Sequence, residues 1–181
     1  MQISVALCTY NGAKYLQDQL DSIAAQTRLP DELVVCDDAS SDETIAIIET
    51  FAHQAPFPVR LYPTEENLGS TRNFDRAIAH CTGDWIALAD QDDYWFPNKL
   101  AVFEQVIHQH PEVGLVFSDA QLADTTLQPQ KMTMWQSLEL TPKMQHDIAQ
   151  DAFATFDYLL KRNVVMGAAC AFDSRYKDRI H

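Results

Sequence analysis

Residues 85–93 read WIALADQDD, an apolar run that ends in three carboxylates within four positions. The run 85–89 has the length and composition of a buried strand, so it delivers Asp90, Asp92 and Asp93 to an edge of the fold. Neighbouring carboxylates repel one another, and this repulsion destabilises a compact state. A hard divalent cation or a hydroxyl-rich ligand among the carboxylates offsets the repulsion. The stretch therefore predicts a ligand site at the end of a strand.

Strand-like and helix-like segments alternate on both sides of this stretch. Strands are predicted at residues 3–8, 33–36, 59–62, 85–89 and 113–117, with helical apolar periodicity between them. This alternation predicts an α/β fold with a mostly parallel central sheet and helices on both faces. From 122 to 150 the pattern weakens, and two interpretations stay open: an extended excursion over the sheet or a mobile loop. A further helix is predicted at 152–160 and a last strand at 164–172.

Composition and charge limit the class of protein. A chain of 181 residues is one domain, or one domain and a fragment, and 46% hydrophobic residues suffice for a sizeable core. The formal charge of −13 without a basic stripe argues against nucleic acid and anionic membranes as partners. No apolar run approaches about 20 residues, so no transmembrane segment is predicted. The four scattered cysteines and the lack of a signal peptide predict a cytoplasmic protein.

Polar residues follow every predicted strand. In open α/β sheets, ligands bind at the carboxyl ends of the strands. Each polar group alone is typical of a turn or a helix cap, but five groups at one edge favour a binding crevice. The five groups are Thr9 to Asn11, Asp37 to Ser40, Asn67 to Gly69, Asp90 to Asp93, and Ser118 with Asp119.

The kind of ligand follows from what the crevice contains. The chain has five glycines and neither a G-x-G-x-x-G nor a G-x-x-x-x-G-K-[ST] motif, so a dinucleotide fold and a P-loop are disfavoured. Many acids with few glycines suggest phosphate bridged by a metal. Mg²⁺ or Mn²⁺ takes one or two carboxylates and binds waters and diphosphate oxygens at its other positions.

Four motifs in this order resemble the family 2 glycosyltransferases, which have the A-type nucleotide-sugar fold. The motifs are VALCTYN at 5–11, VVCDDASSD at 34–42, NLGSTRN at 67–73 and ALADQDD at 87–93. The DQDD form, with Tyr94 and Trp95 after it, is similar to the rhamnosyltransferase-like branch. The resemblance covers roughly residues 1–120, which it identifies as the donor-binding half. Residues 121–181 would begin an acceptor-side region that is incomplete and C-terminally truncated.

The resemblance implies an inverting, metal-dependent enzyme of surface polysaccharide or lipopolysaccharide synthesis. It would transfer a sugar from a UDP- or dTDP-sugar to a saccharide acceptor, with Mn²⁺ or Mg²⁺ as the cofactor. A metal ligand is implied at Asp92, with Asp90 beside it, and Asp38 would accept a hydrogen bond from the pyrimidine ring. The nucleotide-sugar site would comprise Thr9, Tyr10, Asn11, Asp38, Asn67, Gly69, Arg72 and Asp90. The acceptor side would comprise Asp93, Trp95 and Asp119.

Other interpretations accompany these assignments. Trp95 is alternatively a packing aromatic, and Arg72 alternatively pairs with an acid on its own helix. Asp37 and Asp42 are expected to face solvent or to cap a helix. The chain as a whole is alternatively a nucleotide-sugar binding module without transfer activity, or a sugar-phosphate nucleotidyltransferase.

The resemblance also suggests what lies outside the chain. It implies that the general base comes from a further helix beyond His181, so no catalytic residue is assigned within the sequence. A sheet edge left bare by truncation predicts a tendency to self-associate. The longer protein is expected to be cytoplasmic and peripheral at the inner face of the membrane.

Overall fold

A six-stranded sheet and a separate two-stranded hairpin organise the chain. The computed structural model describes residues 1–150, 159 and 165–179. The strands are β1 (Ile3–Thr9), β2 (Glu32–Asp37), β3 (Val59–Pro63), β4 (Trp85–Asp90), β5 (Leu115–Phe117), β6 (Gln121–Ala123), β7 (Pro129–Thr133) and β8 (Cys170–Asp173).

Helices connect most of these strands. They are α1 (Leu16–Ala24), α2 (Thr44–Ala52), α3 (Ser70–His80), α4 (Lys99–Gln109), α5 (Met134–Ser137) and α6 (Pro142–Gln150). Two 3₁₀ turns, Gly167–Ala169 and Ser174–Arg179, flank β8.

The central sheet has the order β3–β2–β1–β4–β8–β5. Strands β1 to β4 are mutually parallel, and β8 pairs antiparallel with both β4 and β5. The predicted mostly parallel sheet is therefore confirmed. Because β8 comes late in the chain, residues after 120 contribute a strand to the same sheet as residues before it.

Helices cover both faces of this sheet. Strands β1 and β2 are buried along their whole length, as expected for parallel strands covered on both sides. Val5 and Leu7 join the core cluster that also contains residues of α1, α2 and α4, whereas Ala6 and Cys8 join a smaller cluster with α3. Alternate residues of one strand thus belong to opposite faces, because strand side chains alternate.

The region 122–150 contains more regular structure than the sequence predicts. It forms β6, β7, α5 and α6, and the β6–β7 hairpin makes a sheet of its own. Thr133 and Gln136 form a capping box at the start of α5. Neither interpretation predicts these elements, because the segment is largely polar and shows no clear apolar period in sequence.

The end of the chain tests the remaining predictions in part. The predicted helix at 152–160 lies outside the described residues apart from Leu159. The last strand is shorter than the predicted 164–172, because a 3₁₀ turn occupies Gly167–Ala169 and the strand begins at Cys170.

Glu32, a buried glutamate at the start of β2, links three segments at the edge of the sheet where β1 and β2 begin. Glu32 accepts hydrogen bonds from Ser4 Oγ at 2.6 Å and from Thr82 N at 2.7 Å, and it pairs with Arg60. Burial alone would raise its pKa, but these hydrogen bonds and the guanidinium outweigh burial and hold the pKa below its usual value. The ionised form of Glu32 therefore stabilises the folded state.

We expect Glu32→Gln to lower the free energy of unfolding at neutral pH by about 1–3 kcal/mol. Because the native pKa is depressed, the contribution is present above the unfolded pKa of 4.5 and is lost as the pH falls through the native pKa. Urea unfolding at about pH 7 and about pH 3 measures both effects. Glu65→Gln, at an exposed position, is the control. A difference between wild type and Glu32→Gln that does not change with pH would contradict the assignment.

Candidate functional site

The carboxyl ends of β1, β2 and β4 lie side by side. Thr9 is in register with Asp37 across β1 and β2, and Cys8 is in register with Asp90 across β1 and β4. The loop before α3 joins them, because its Gly69 N–H donates to the residue that follows Asp37. Four of the five predicted polar groups therefore meet at one edge of the sheet.

The loop after β1 is held firmly on the side of β2 and α2. Asn11 has a left-handed backbone, with φ of 47°, and its N–H donates to Ser40 Oγ at 2.8 Å. Its side-chain oxygen accepts from Ser41 N at 2.9 Å. Gly12 N–H donates to Thr44 Oγ1 at 2.8 Å. The loop is thus shaped by neighbouring polar groups rather than by packing.

Asp37 is buried, with 1% of its surface exposed. Its carboxylate accepts from Thr9 Oγ1 at 2.7 Å and from the N–H and hydroxyl of Ser40 at 2.9 and 2.6 Å. The prediction that Asp37 faces solvent or caps a helix is therefore wrong. Asp42 is exposed and accepts from Thr44 N just before α2, so the prediction holds for Asp42.

Asp38 is also buried, with 3% exposure, and its carboxylate accepts hydrogen bonds from the loop before α3. One oxygen accepts from Leu68 N at 2.7 Å and the other from Gly69 N at 2.9 Å, while Asn67 Nδ2 donates to its carbonyl at 3.3 Å. Gly69 has φ of 84°, a conformation that glycine adopts without strain. A pyrimidine N–H that reached Asp38 would share an oxygen already bonded to an amide, so that contact stays a prediction.

Helix α3 presents two arginines one turn apart. Arg72 is exposed and makes no hydrogen bond or ion pair with any residue in the described part of the chain. Arg76 donates to Asn73 Oδ1 at 2.9 Å and to Tyr62 O at 3.1 Å, which places it at the end of β3. Sequence reasoning missed Arg76, although the spacing of four residues from Arg72 on a predicted helix was a signal.

The acidic turn after β4 combines exposed and half-buried carboxylates. Asp92 is exposed and has no hydrogen bond or ion pair among the described residues. Burial and then the charge of Asp92 raise the pKa of Asp90. Burial and then the charge of Asp90 raise the pKa of Asp93 to about 6. The repulsion expected from the sequence is therefore present, and Asp92 is the carboxylate open to a ligand.

Lys99 and Trp95 lie against this turn. The Lys99 ammonium is 3.9 Å from the centre of the Trp95 ring and donates to Ala168 O. Burial lowers the pKa of Lys99 to about 8, although the charge of Asp93 opposes this shift. Sequence reasoning missed Lys99; a cation at the first residue of α4, where the helix dipole disfavours it, was the available signal.

Trp95 does not lie on the surface. Only 2% of it is exposed, and it belongs to the larger core cluster. The structure therefore contradicts the acceptor-side position predicted for Trp95 and agrees with the packing alternative. The aromatic ring is buried because it closes the connection from β4 to α4, where Trp95 N donates to Ser22 Oγ at 3.0 Å.

Asp119 follows β5, whose carboxyl end lies at the same edge of the sheet but is separated from β4 by β8. Its Oδ1 accepts from Ala120 N at 2.8 Å and from Trp135 N at 2.9 Å. This carboxylate therefore ties the end of β5 to the start of α5. Its predicted place on the acceptor side stays a prediction, as does that of Asp93.

The donor set at this edge fits a hard divalent cation held jointly with a phosphate ligand. Within residues 1–150, 159 and 165–179, no group of three or more His, Cys, Asp or Glu side chains is arranged to hold a metal alone. Asp90 and Asp92 supply carboxylate oxygens, and Mg²⁺ and Mn²⁺ sites commonly use one or two carboxylates and complete the shell with waters and substrate phosphates. The predicted pair suits that arrangement.

Comparison with known proteins identifies relatives of the chain. The uncharacterized glycosyltransferase alr2836 of Nostoc sp. is 34% identical over 116 residues, which cover 64% of this chain and 36% of that protein. The dTDP-rhamnosyl transferase RfbG of Shigella flexneri is 33% identical over 98 residues, which cover 52% of this chain and 34% of that protein. The chain spans about a third of the length of these curated relatives.

Solved structures share the fold. TarS of S. aureus in complex with UDP superimposes with a TM-score of 0.63 at 28% identity, covering 73% of this chain and 39% of that chain. The mannosyltransferase PcManGT of Pyrobaculum calidifontis, in complex with GDP-Man and Mn²⁺, gives a TM-score of 0.68 at 22% identity, covering 98% and 46%. The A-type glycosyltransferase fold expected from the sequence is confirmed.

None of the helices in the described part of the chain has the length and apolar composition that crossing a bilayer requires.

The family assignment follows from a family profile. The profile described as glycosyl transferase family 2 matches residues 4–162, which is most of the chain. The chain belongs to glycosyl transferase family 2.

Proposed function

We propose that this chain forms the donor side of a metal-dependent, inverting glycosyltransferase. It would bind a UDP- or dTDP-sugar, and the whole enzyme would transfer that sugar to a saccharide acceptor. One observation carries the proposal: Asp92, an exposed carboxylate without a partner among the described residues, stands beside Asp90 at the edge where the ends of β1, β2 and β4 meet. TarS, a structural relative at 28% identity, was solved in complex with UDP, which supports a nucleotide as the ligand.

The nucleoside would lie between the loop after β1 and the loop before α3. Tyr10 is the open aromatic of that region, with 49% of its surface exposed, and it offers a face for a base. Asn11 and Asp38 would hold these two loops in place through the hydrogen bonds already described. Thr9 would contribute through its hydrogen bond to Asp37. Arg72, which is exposed and unpaired in the described residues, would approach the phosphates.

The metal would be held by Asp92, with Asp90 beside it. When bound, Mn²⁺ or Mg²⁺ neutralises charge that develops on the departing diphosphate. The Mn²⁺ complex of the mannosyltransferase PcManGT supports this cofactor class through a shared fold. The Lys99 ammonium opposes the repulsion of the two carboxylates, because its charge counteracts the rise in the pKa of Asp90.

Inversion requires the acceptor hydroxyl to attack the anomeric carbon while its bond to the diphosphate breaks on the opposite face. A carboxylate must accept the hydroxyl proton, and such a general base contributes typically about 10²–10⁴-fold in rate. We place Asp93 and Asp119 on the acceptor side as proposals. The general base itself stays a prediction from the family resemblance, beyond His181.

The cellular setting is also a proposal. The described cysteines, Cys8, Cys36, Cys81 and Cys170, are all free and buried, as is common in reducing compartments, so we place the enzyme in the cytoplasm. A role in surface polysaccharide or lipopolysaccharide synthesis is proposed from the family resemblance, and the relatives named dTDP-rhamnosyl transferase RfbG and abequosyltransferase RfbV support the transfer of a sugar. Peripheral membrane attachment and self-association stay predictions.

A nucleotide panel tests the donor site. We expect UDP or dTDP, each with Mn²⁺, to raise the thermal midpoint of the chain by about 5–10 °C at a hundred times the dissociation constant, which adds ~2.7 kcal/mol. Mn²⁺ alone, each nucleotide with EDTA, and ADP with Mn²⁺ are the controls. No shift with any pyrimidine diphosphate would refute the proposal. A shift that EDTA leaves intact would favour a binding module without metal-dependent transfer.

A further inference from the structure

Gln91, the second residue of the DQDD turn, bonds to the backbone of the loop after β1 rather than facing the crevice freely. Its Oε1 accepts from Tyr10 N at 2.8 Å, and its Nε2 donates to Tyr10 O at 3.0 Å. One carboxamide therefore satisfies both backbone groups of one residue. Strand pairing cannot make this connection, since β1 ends at Thr9 and β4 ends at Asp90.

The contact between Gln91 and this loop is close. A Cβ added to Gly12 would lie 2.2 Å from Gln91 Oε1 and 2.6 Å from Gln91 Cδ. Real Cβ atoms do not approach other atoms this closely, so any side chain at residue 12 would displace the carboxamide. The absence of a side chain at Gly12 is thus matched to the position of Gln91.

The other contacts of the loop all lead away from the acidic turn. Asn11, Gly12 and Ala13 bond to Ser40, Thr44 and Asp42, which belong to the connection from β2 to α2 and to the start of that helix. Among the residues that the structure describes, Gln91 is the side chain that bonds the same loop to the turn carrying Asp92. Without Gln91, the loop would keep its place beside Asp38 but lose its tie to the carboxylates.

We propose that Gln91 is a positioning residue that fixes the nucleoside-binding loop at a set distance from the metal-binding carboxylates. The inference rests on the proposed function, because it assigns the nucleoside to the loop and the diphosphate to Asp92. A nucleoside diphosphate spans both subsites, so its affinity depends on their spacing. A nucleoside alone touches one subsite, so its affinity does not.

The test compares UDP with uridine, each in the presence of Mn²⁺. In Gln91→Met, which preserves side-chain length without hydrogen bonds, we expect UDP affinity by calorimetry to fall about tenfold. Uridine affinity, followed by NMR titration, stays within about twofold of wild type. Gly12→Ala, which displaces the carboxamide from the opposite side, gives the same split. Gln105→Leu, at an exposed position on α4, is the control.

Hydrogen exchange at the Tyr10 amide reports the tie without any ligand. In Gln91→Met this amide should exchange at least about tenfold faster, while amides inside β1 keep their protection. If Gln91→Met binds UDP as tightly as wild type, or loses UDP and uridine affinity equally, the positioning role is wrong. Failure of wild type to bind UDP or dTDP would instead refute the proposed function, and the role of Gln91 with it.

Discussion

Replacing Asp92 by alanine is expected to weaken Mn²⁺-dependent binding of UDP by about a hundredfold or more, because the variant loses a carboxylate that no described protein group could replace. Asp92 is the member of the acidic turn that is exposed and unpaired among the described residues. Asp90 remains in this variant, but it is less exposed than Asp92 and leaves the metal with one carboxylate instead of two. Calorimetric titration of UDP with and without Mn²⁺ measures the loss.

Two further variants test whether the lost charge of Asp92 causes the weaker binding of UDP. Asp92→Asn preserves shape and removes charge, so it should bind UDP nearly as weakly as Asp92→Ala. Asp18→Ala, which removes an exposed acid on α1, should bind as wild type does. We also expect Asp92→Ala to unfold no more easily than wild type, because it relieves repulsion on Asp90. Wild-type affinity in Asp92→Asn would overturn the assignment of Asp92 as a metal ligand.

Replacing Asp37 by alanine is expected to lower the free energy of unfolding by about 3 kcal/mol. Asp37 is 1% exposed and accepts hydrogen bonds from Thr9 and Ser40. The substitution leaves the buried Thr9 hydroxyl and the half-buried N–H and hydroxyl of Ser40 without this acceptor, and it removes a side-chain contact between the ends of β1 and β2. Urea unfolding, followed by circular dichroism, measures the change.

The companion variants separate burial from charge. Asp37→Asn keeps one acceptor oxygen, so its loss should lie between wild type and Asp37→Ala. Asp42→Ala removes a neighbouring exposed carboxylate and should cost clearly less. Equal stability of Asp37→Ala and wild type would mean that Thr9 and Ser40 find other partners.

The parts of the fold predicted well are those with strong periodicity. Strands β1, β2 and β4 each contain a run of mainly apolar residues, so their identity and parallel pairing follow from pattern alone. Their carboxyl ends had to lie at one edge, which is why Thr9, Asp38 and Asp90 were placed together. The family match then fixed the A-type fold.

The failures arose where partners far along the chain decide the outcome. Asp37 and Asp38 are adjacent acids. The sequence does not show that Thr9 and Ser40 donate hydrogen bonds to Asp37, whereas the loop before α3 donates to Asp38. Trp95 is an aromatic in an otherwise polar turn, which suits both a ligand contact and a packing role. Lys99 was missed because its neighbours Ala168 and Cys170 are remote in sequence.

The placement of β8 has a consequence for how the protein is made. Among the described strands, β5 pairs with β8 alone, and β8 occupies Cys170–Asp173. On the ribosome, β1 to β4 can assemble as soon as they emerge, but β5 must wait for a segment translated much later. The carbonyl that receives the Lys99 ammonium arrives with that segment. This part of the surroundings of the acidic turn therefore forms only after Cys170–Asp173 has been translated, and nascent chains should acquire full nucleotide affinity only then.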